Sequence, residues 1–161
     1  MKRLLCFFLA LLLLASQLSG CSQQMKEPVT FYYLRTSYQE TMDSPVVGEE
    51  REVAGHRDDL KYLLSFYLMG PIGKGLSSPL PRGTLLYTVS QDGSRLAIEI
   101  SNTAALLTDA EFSLACACLS LTCMGLTGVS EVTIVSGSRN LTFTQENLLL
   151  SDTVQSEETT K

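Results

Sequence analysis

GPIGKGLSSPLPRGT, residues 70–84, stands between two apolar segments, and the protein's architecture turns on whether it is a phosphate cradle or a connector. A phosphate-cradling loop carries a glycine, four residues and then Gly-Lys-Ser/Thr, so that backbone N–H groups surround the phosphates and the hydroxyl holds magnesium. Here Gly73-Lys74 is followed by Gly75, and Leu68 occupies the place of the first glycine, so two of the four fixed positions fail. What the stretch joins therefore decides its role. On its N-terminal side Leu60, Leu63, Leu64, Tyr67 and Leu68 form an apolar stripe at helical spacing, with Asp58 and Asp59 expected in the first turn, where acidic groups suit the helix dipole. Gly70-Pro71 stops that helix. On its C-terminal side Thr84–Ser90 and Arg95–Ser101 flank Asp92-Gly93, a hairpin signal, and Leu96, Ile98 and Ile100 alternate with Arg95, Ala97 and Glu99 as one buried and one wet face require.

Further out, Val29–Leu34 (VTFYYL) reads as a strand and Val46–Val53 as a second. Thr108-Asp109-Ala110-Glu111 predicts a capping box opening a helix that runs to about Met124. From Phe112 to Gly128 no residue is charged. A helix apolar all round is buried on more than one side. Either the sheet covers one face and the first helix much of the other, or an edge bearing Leu114, Cys118 and Leu121 stays open for a partner. Val129–Ser136 and Leu141–Thr144 predict a closing hairpin across Gly137-Ser138.

The ends of the chain speak to location. Lys2 and Arg3, an apolar run from Leu4 to Ala15 and then Leu18-Ser19-Gly20-Cys21 form an export signal too short to span a bilayer as a helix. Small residues leading into a cysteine read as a lipobox, with cleavage after residue 20 and a diacylglyceryl group on Cys21; an ordinary secretory signal is the alternative. Two acyl chains make a stable anchor, at about 0.8 kcal/mol per buried methylene. Residues 21–28 are then a lipidated terminus and short linker, placing a domain of residues 29–145 against the extracytoplasmic face of the cell membrane. Residues 146–161 form a polar, acidic tail. Loss of Lys2 and Arg3 deepens a formal charge that is already −5, which disfavours nucleic acid as a partner.

Candidate chemistry is sparse. Cys116, Cys118 and Cys123 are an odd cluster, not a disulfide framework, and on a helix the first two point about 200° apart. They read as small buried apolar residues; no metal set, cofactor motif or nucleophile elbow is legible. The single histidine, His56, lies next to Asp58 and Asp59 as a candidate base and orienter for a wall hydrolase, but the three sit too close in sequence to converge from separate elements. Lys74 and Arg82 in the glycine-rich loop are a candidate peptidoglycan-binding pair.

Several of these residues together resemble the GerMN domain of sporulation and germination proteins. The matching features are Phe31, Tyr32 and Tyr33; Arg51-Glu52-Val53; Leu63-Leu64; Gly70-Pro71, Gly75-Leu76, Pro79, Pro81 and Gly83-Thr84; Leu96, Ile98 and Ile100; Leu121-Thr122; and Val129, Val132, Ile134 and Gly137. The loop holding Gly70, Pro71, Gly75, Pro79, Pro81 and Gly83 is its most specific part, and the resemblance makes it a family connector. It implies an α+β fold similar to ring-building motif domains, two helices on a small mixed or antiparallel sheet with an added hairpin. It also implies non-enzymatic interaction or assembly work, without cofactors, among envelope or sporulation proteins or copies of the chain. Members often carry two such domains or a catalytic one; this chain has one alone, and its three cysteines have no counterpart there.

Overall fold

A computed structural model describes residues 28–37, 44–53 and 55–149. The expected signal, the lipidation residue Cys21 and the chain beyond residue 149 lie outside the described residues. Strands are β1 (Pro28–Arg35), β2 (Val46–Glu52), β3 (Leu76–Ser77), β4 (Leu86–Asp92), β5 (Arg95–Ile100), β6 (Glu131–Ser136) and β7 (Arg139–Thr144). Helices are α1 (Leu60–Leu68), α2 (Asp109–Thr127) and the short α3 (Gln145–Leu149), with a 3-10 turn at Ala104–Leu106. The fold is α+β, as expected, and its strands divide into two sheets, ordered β2-β1-β3 and β4-β5-β6-β7.

Local chemistry accounts for the elements. Asp59 precedes α1 and accepts from Tyr62 N–H at 2.9 Å, so the helix begins one residue after the aspartates and Asp59 acts as its N-cap. Two residues, Gly93 and Ser94, close the β4–β5 hairpin on the Asp92↔Arg95 pair, and only the glycine has positive φ (+57°). The turn is thus shifted by one residue from Asp92-Gly93, to the arrangement that puts glycine first. Thr108 and Glu111 form the predicted capping box, in which hydrogen bonds from Thr108 hold the Glu111 carboxyl below its usual range. Helix α2 runs three residues past Met124, to Thr127, and ends on Gly128 in the left-handed region.

β5 and β6 are parallel, in register from Arg95↔Glu131 to Ile100↔Ser136, so the chain must cross over between them, and α2 is that crossover. The helix packs against β1 on one side and against β6 and β7 on the other. Phe112, Ala115, Cys116, Cys118, Leu119, Thr122 and Cys123 are all buried. The inward residues of the larger sheet, Leu96, Ile98, Ile100, Val132 and Ile134, meet it; each such side chain contributes about 1.5–3 kcal/mol by leaving water. A second sheet supplies much of the cover that had been expected from the first helix. Leu148 packs on this core, and Asn147 N–H bonds Thr144 Oγ1, so ordered structure continues past the boundary placed at residue 145.

Beyond Leu34 and Arg35, which meet β3, the open side of β1 is sealed by two helix-borne hydroxyls. Tyr32 N–H donates to Thr122 Oγ1 at 2.9 Å, and that hydroxyl in turn donates to Cys118 C=O at 2.9 Å. Tyr67 Oη donates to Tyr32 C=O at 3.1 Å. A strand that would otherwise present unpaired amides is thus tied to both α1 and α2.

Candidate functional site: a loop held by Glu49 and Arg51

The 70–84 loop is fixed from three directions. Gly70, Gly75 and Gly83 have φ of +93°, +81° and +83°, conformations an L side chain rarely adopts. At Gly75 the carbonyl receives Thr36 N–H at 2.9 Å and Thr36 Oγ1 at 3.1 Å, which docks the loop on the end of β1. At the far end Thr84 Oγ1 bonds Pro81 C=O at 2.7 Å and sits 3.0 Å from Thr103 Oγ1. Thr103 in turn reaches Ser101 Oγ at 2.9 Å, and Leu85 N–H donates to that same Ser101 hydroxyl. Pro79 and Leu80 are buried.

At the near end, alternation along β2 places Glu49 and Arg51 on one face. Arg51 is 6% exposed; its Nη2 donates to Gly70 C=O at 2.6 Å and its Nε to Glu49 Oε2 at 2.6 Å. Its guanidinium lies 5.2–5.4 Å from the ring centres of Phe31, Tyr33 and Phe66, close enough for cation–π attraction. Glu49 also accepts the N–H groups of Ile72, at 3.1 Å, and Gly73. Burial pushes the Glu49 carboxyl pKa up, but the Gly73 amide, Arg51 and the Ile72 amide outweigh it and hold the group below its ordinary value. The turn's N–H groups thus surround an anion after all, and the anion is the protein's own carboxylate.

Next to this anchor lies an open hollow of about 400 Å³ lined by Glu49, Glu50, Arg51, Glu52, Ile72 and Gly73. Of its lining, Glu49 and Arg51 bond each other and the loop, while Glu50 and Glu52 are exposed. Tyr33 stacks on Tyr67 at 4.9 Å and donates its hydroxyl to Tyr67 C=O at 3.0 Å; burial raises the pKa of both phenols.

The other candidates are dispersed. His56 is exposed and stacks on Tyr62 with ring centres 4.0 Å apart, while Asp59 is occupied as a helix cap and Asp58 is exposed. Lys74 and Arg82 are exposed. Desolvation pushes the thiols of Cys116 and Cys118 up to about 12 and that of Cys123 higher still, so all three are packing atoms at neutral pH. Of the residues proposed for an open helix edge, Leu114 and Leu121 are half-buried, but Cys118 is wholly enclosed, its carbonyl bonded to Thr122, and belongs to the interior. Among the described residues no group of three or more His, Cys, Asp or Glu side chains could hold a metal ion.

Glu49 was not singled out from sequence. It sits in the acidic run Glu49-Glu50, and only the β1–β2 register, which pairs it with Phe31, separates it from its exposed neighbour.

No protein-family profile and no curated protein sequence matches the chain. Solved structures do. The first GerMN domain of the sporulation protein GerM from Bacillus subtilis superposes with a TM-score of 0.50 at 13% identity, over 71% of this chain and 86% of that one. The tandem GerMN domains of the same protein give 0.52 at 18% identity, over 74% of this chain and 42% of that one, so this chain spans less than half of the tandem pair. With the α2 crossover between two sheets and the loop strapped across β1 and β2, the chain has a GerMN-like fold.

Proposed function

We propose that this chain is a membrane-anchored, non-enzymatic GerMN lipoprotein that serves as a protein-interaction or assembly module at the cell envelope during sporulation or germination. The observation that carries this reading is the anchored loop. Its glycines are spent on backbone geometry, its N–H groups on Glu49 and its arginine neighbour on Gly70 and Glu49, so the most sequence-specific part of the domain is a strut. The GerMN-like fold and the lipobox at Cys21 supply the setting. A wall-binding role for Lys74 and Arg82 is the weaker reading, since the hollow beside their loop is bounded by Glu49, Glu50 and Glu52, which repel anionic wall polymers.

The test is made in cells of the source organism. Mass spectrometry of the mature protein should find acylation on Cys21, and crosslinking in sporulating cells should join the domain to envelope proteins or to other copies of itself. A protein without acyl chains, or one that forms no crosslink at any stage, overturns the proposal. Hydrolysis of cell-wall fragments that is lost on His56→Ala would overturn its non-enzymatic part.

A further inference from the structure

β4 ends the larger sheet, and among the described residues the main chain of Leu86–Asp92 is hydrogen-bonded only to β5. Because Gly93-Ser94 closes the hairpin on Asp92↔Arg95, the alternation of an antiparallel ladder assigns Ser90↔Ala97 and Thr88↔Glu99 to the bonded pairs. Val89 and Gln91 therefore turn their N–H and C=O groups to the free side. From Leu86 to Gln91 the strand has no charge and no proline, the two commonest protections of an open edge, and its one irregularity is the bulge at Tyr87. Apolar side chains border it: Leu85 is 60% exposed, Tyr87 51% and Leu106 87%. The Thr84–Thr103 contact brings Leu85 near the 3-10 turn that carries Leu106.

The geometry points to a second copy of this chain as the occupant, its β4 pairing antiparallel with this β4 about a two-fold axis at Ser90, so that two four-stranded sheets become one of eight. That register sets Val89 opposite Gln91 of the second copy, the two residues whose backbone groups face outward. Charge selects the partner. Two chains of formal charge −5 repel across most of their surfaces, and a self-contact needs a neutral strip. β2, the edge of the smaller sheet, carries Glu49, Glu50 and Glu52, where a basic strand would be drawn and a second copy rejected. β7 runs directly into α3, which packs back on it. β3, the other edge of the smaller sheet, is only two residues long. Of the four edge strands β4 alone combines length and neutrality with an apolar border, and a two-fold axis joins like surfaces. The inference deepens the assembly reading and rests on it for the envelope setting, where a shared membrane would raise the effective concentration of two copies.

The experiment uses the full chain in mild detergent with Cys6 and Cys21 replaced by serine; the three remaining thiols are buried and silent. Light scattering should give twice the chain's mass. Val89→Pro removes an N–H that faces away from β5, so the variant should keep its circular dichroism and fall to the mass of one chain. Ser90→Cys should form a disulfide-linked dimer under mild oxidation, whereas Ser138→Cys, in the exposed β6–β7 turn, should not. A one-chain mass for the parent, an undiminished dimer of folded Val89→Pro, or Ser90→Cys that crosslinks no faster than Ser138→Cys overturns the proposal, including the case in which another protein's strand takes the edge. Should Val89→Pro fail to fold, the two cysteine variants decide. A monomeric result leaves the envelope reading to its own test in cells.

Discussion

Replacing Glu49 with alanine removes the common acceptor of the Arg51 guanidinium and the Ile72 and Gly73 amides. Side-chain exposure is 5% for Arg51 and 12% for Glu49, so solvent does not screen the pair as it would at the surface. Breaking such a pair strands a buried charge, at a cost of about 3–5 kcal/mol. The surviving Gly70 bond and the three aromatic faces around Arg51 offset part of this, which places Glu49→Ala at the lower end, about 3 kcal/mol. Glu49→Gln keeps the size and one acceptor oxygen and should cost about 2 kcal/mol, the value of a charge-assisted hydrogen bond. Urea unfolding followed by circular dichroism measures both.

The pH dependence has a definite sign. Because the folded-state pKa of Glu49 is depressed, its stabilisation is fully present above the unfolded-state value and is lost as pH falls through the folded one. Arg51 faces Glu49, while Glu50 and Glu52 on the same strand are exposed. The parent should thus lose stability on acidification below the ordinary glutamate range more steeply than Glu49→Gln does. A cost below about 1 kcal/mol for Glu49→Ala, the level of an exposed ion pair, or parallel acid profiles for parent and Glu49→Gln, would refute the anchor.

At Gly73 an added Cβ would stand 2.9 Å from Glu49 Oε1, so Gly73→Ala should destabilise by about 1–3 kcal/mol in the same urea assay, with much of that loss absent in a Glu49→Ala background, where the side chain it meets is gone. Thr122→Val keeps the shape of the side chain but leaves Tyr32 N–H without its acceptor, and should cost about 1–3 kcal/mol by thermal unfolding. Cys116, Cys118 and Cys123 should resist iodoacetamide at pH 8 in the folded protein and react at once in denaturant, as read by peptide mass spectrometry. Glutamate at the enclosed position 118 should abolish folding, whereas at half-buried Leu121 it should leave a folded domain by circular dichroism.

Where sequence reasoning succeeded, the signal was local. The stripe of α1, the capping box of α2 and the alternation of β5 and β6 each lie within a dozen residues and map directly onto the elements. The 70–84 loop was legible as a connector through its resemblance to the family's loop, the failed phosphate motif having removed the cradle. The two-sheet arrangement was not legible. It depends on the parallel β5–β6 pairing, which alternation cannot distinguish from an antiparallel one. Cys118 illustrates the same limit: an apolar residue on an all-apolar helix has no phase, and only the position of β1 shows that this face is covered. Glu49 was hidden for a different reason, since its role comes from amides 23 and 24 residues away.

By length and composition alone α2 could cross a membrane, yet its surroundings assign it to the core. Its first turn is capped by Thr108, Arg139 bonds Asp109 at 2.9 Å and lies 4.1 Å above the Phe112 ring, and its far half hydrogen-bonds β1 through Thr122. A membrane span has no use for a strand amide docked on its hydroxyl. Sheets lie against both flanks of this helix and leave Leu114 and Leu121 half-buried on its remaining surface. Open backbone groups lie instead on the strands that end each sheet, because an edge is paired on one side only. β1 would be such a strand had Thr122 and Tyr67 not closed it. The same physics that buries the α2 helix therefore leaves β4, neutral and bordered by leucine and tyrosine, as an edge with backbone groups still open for pairing.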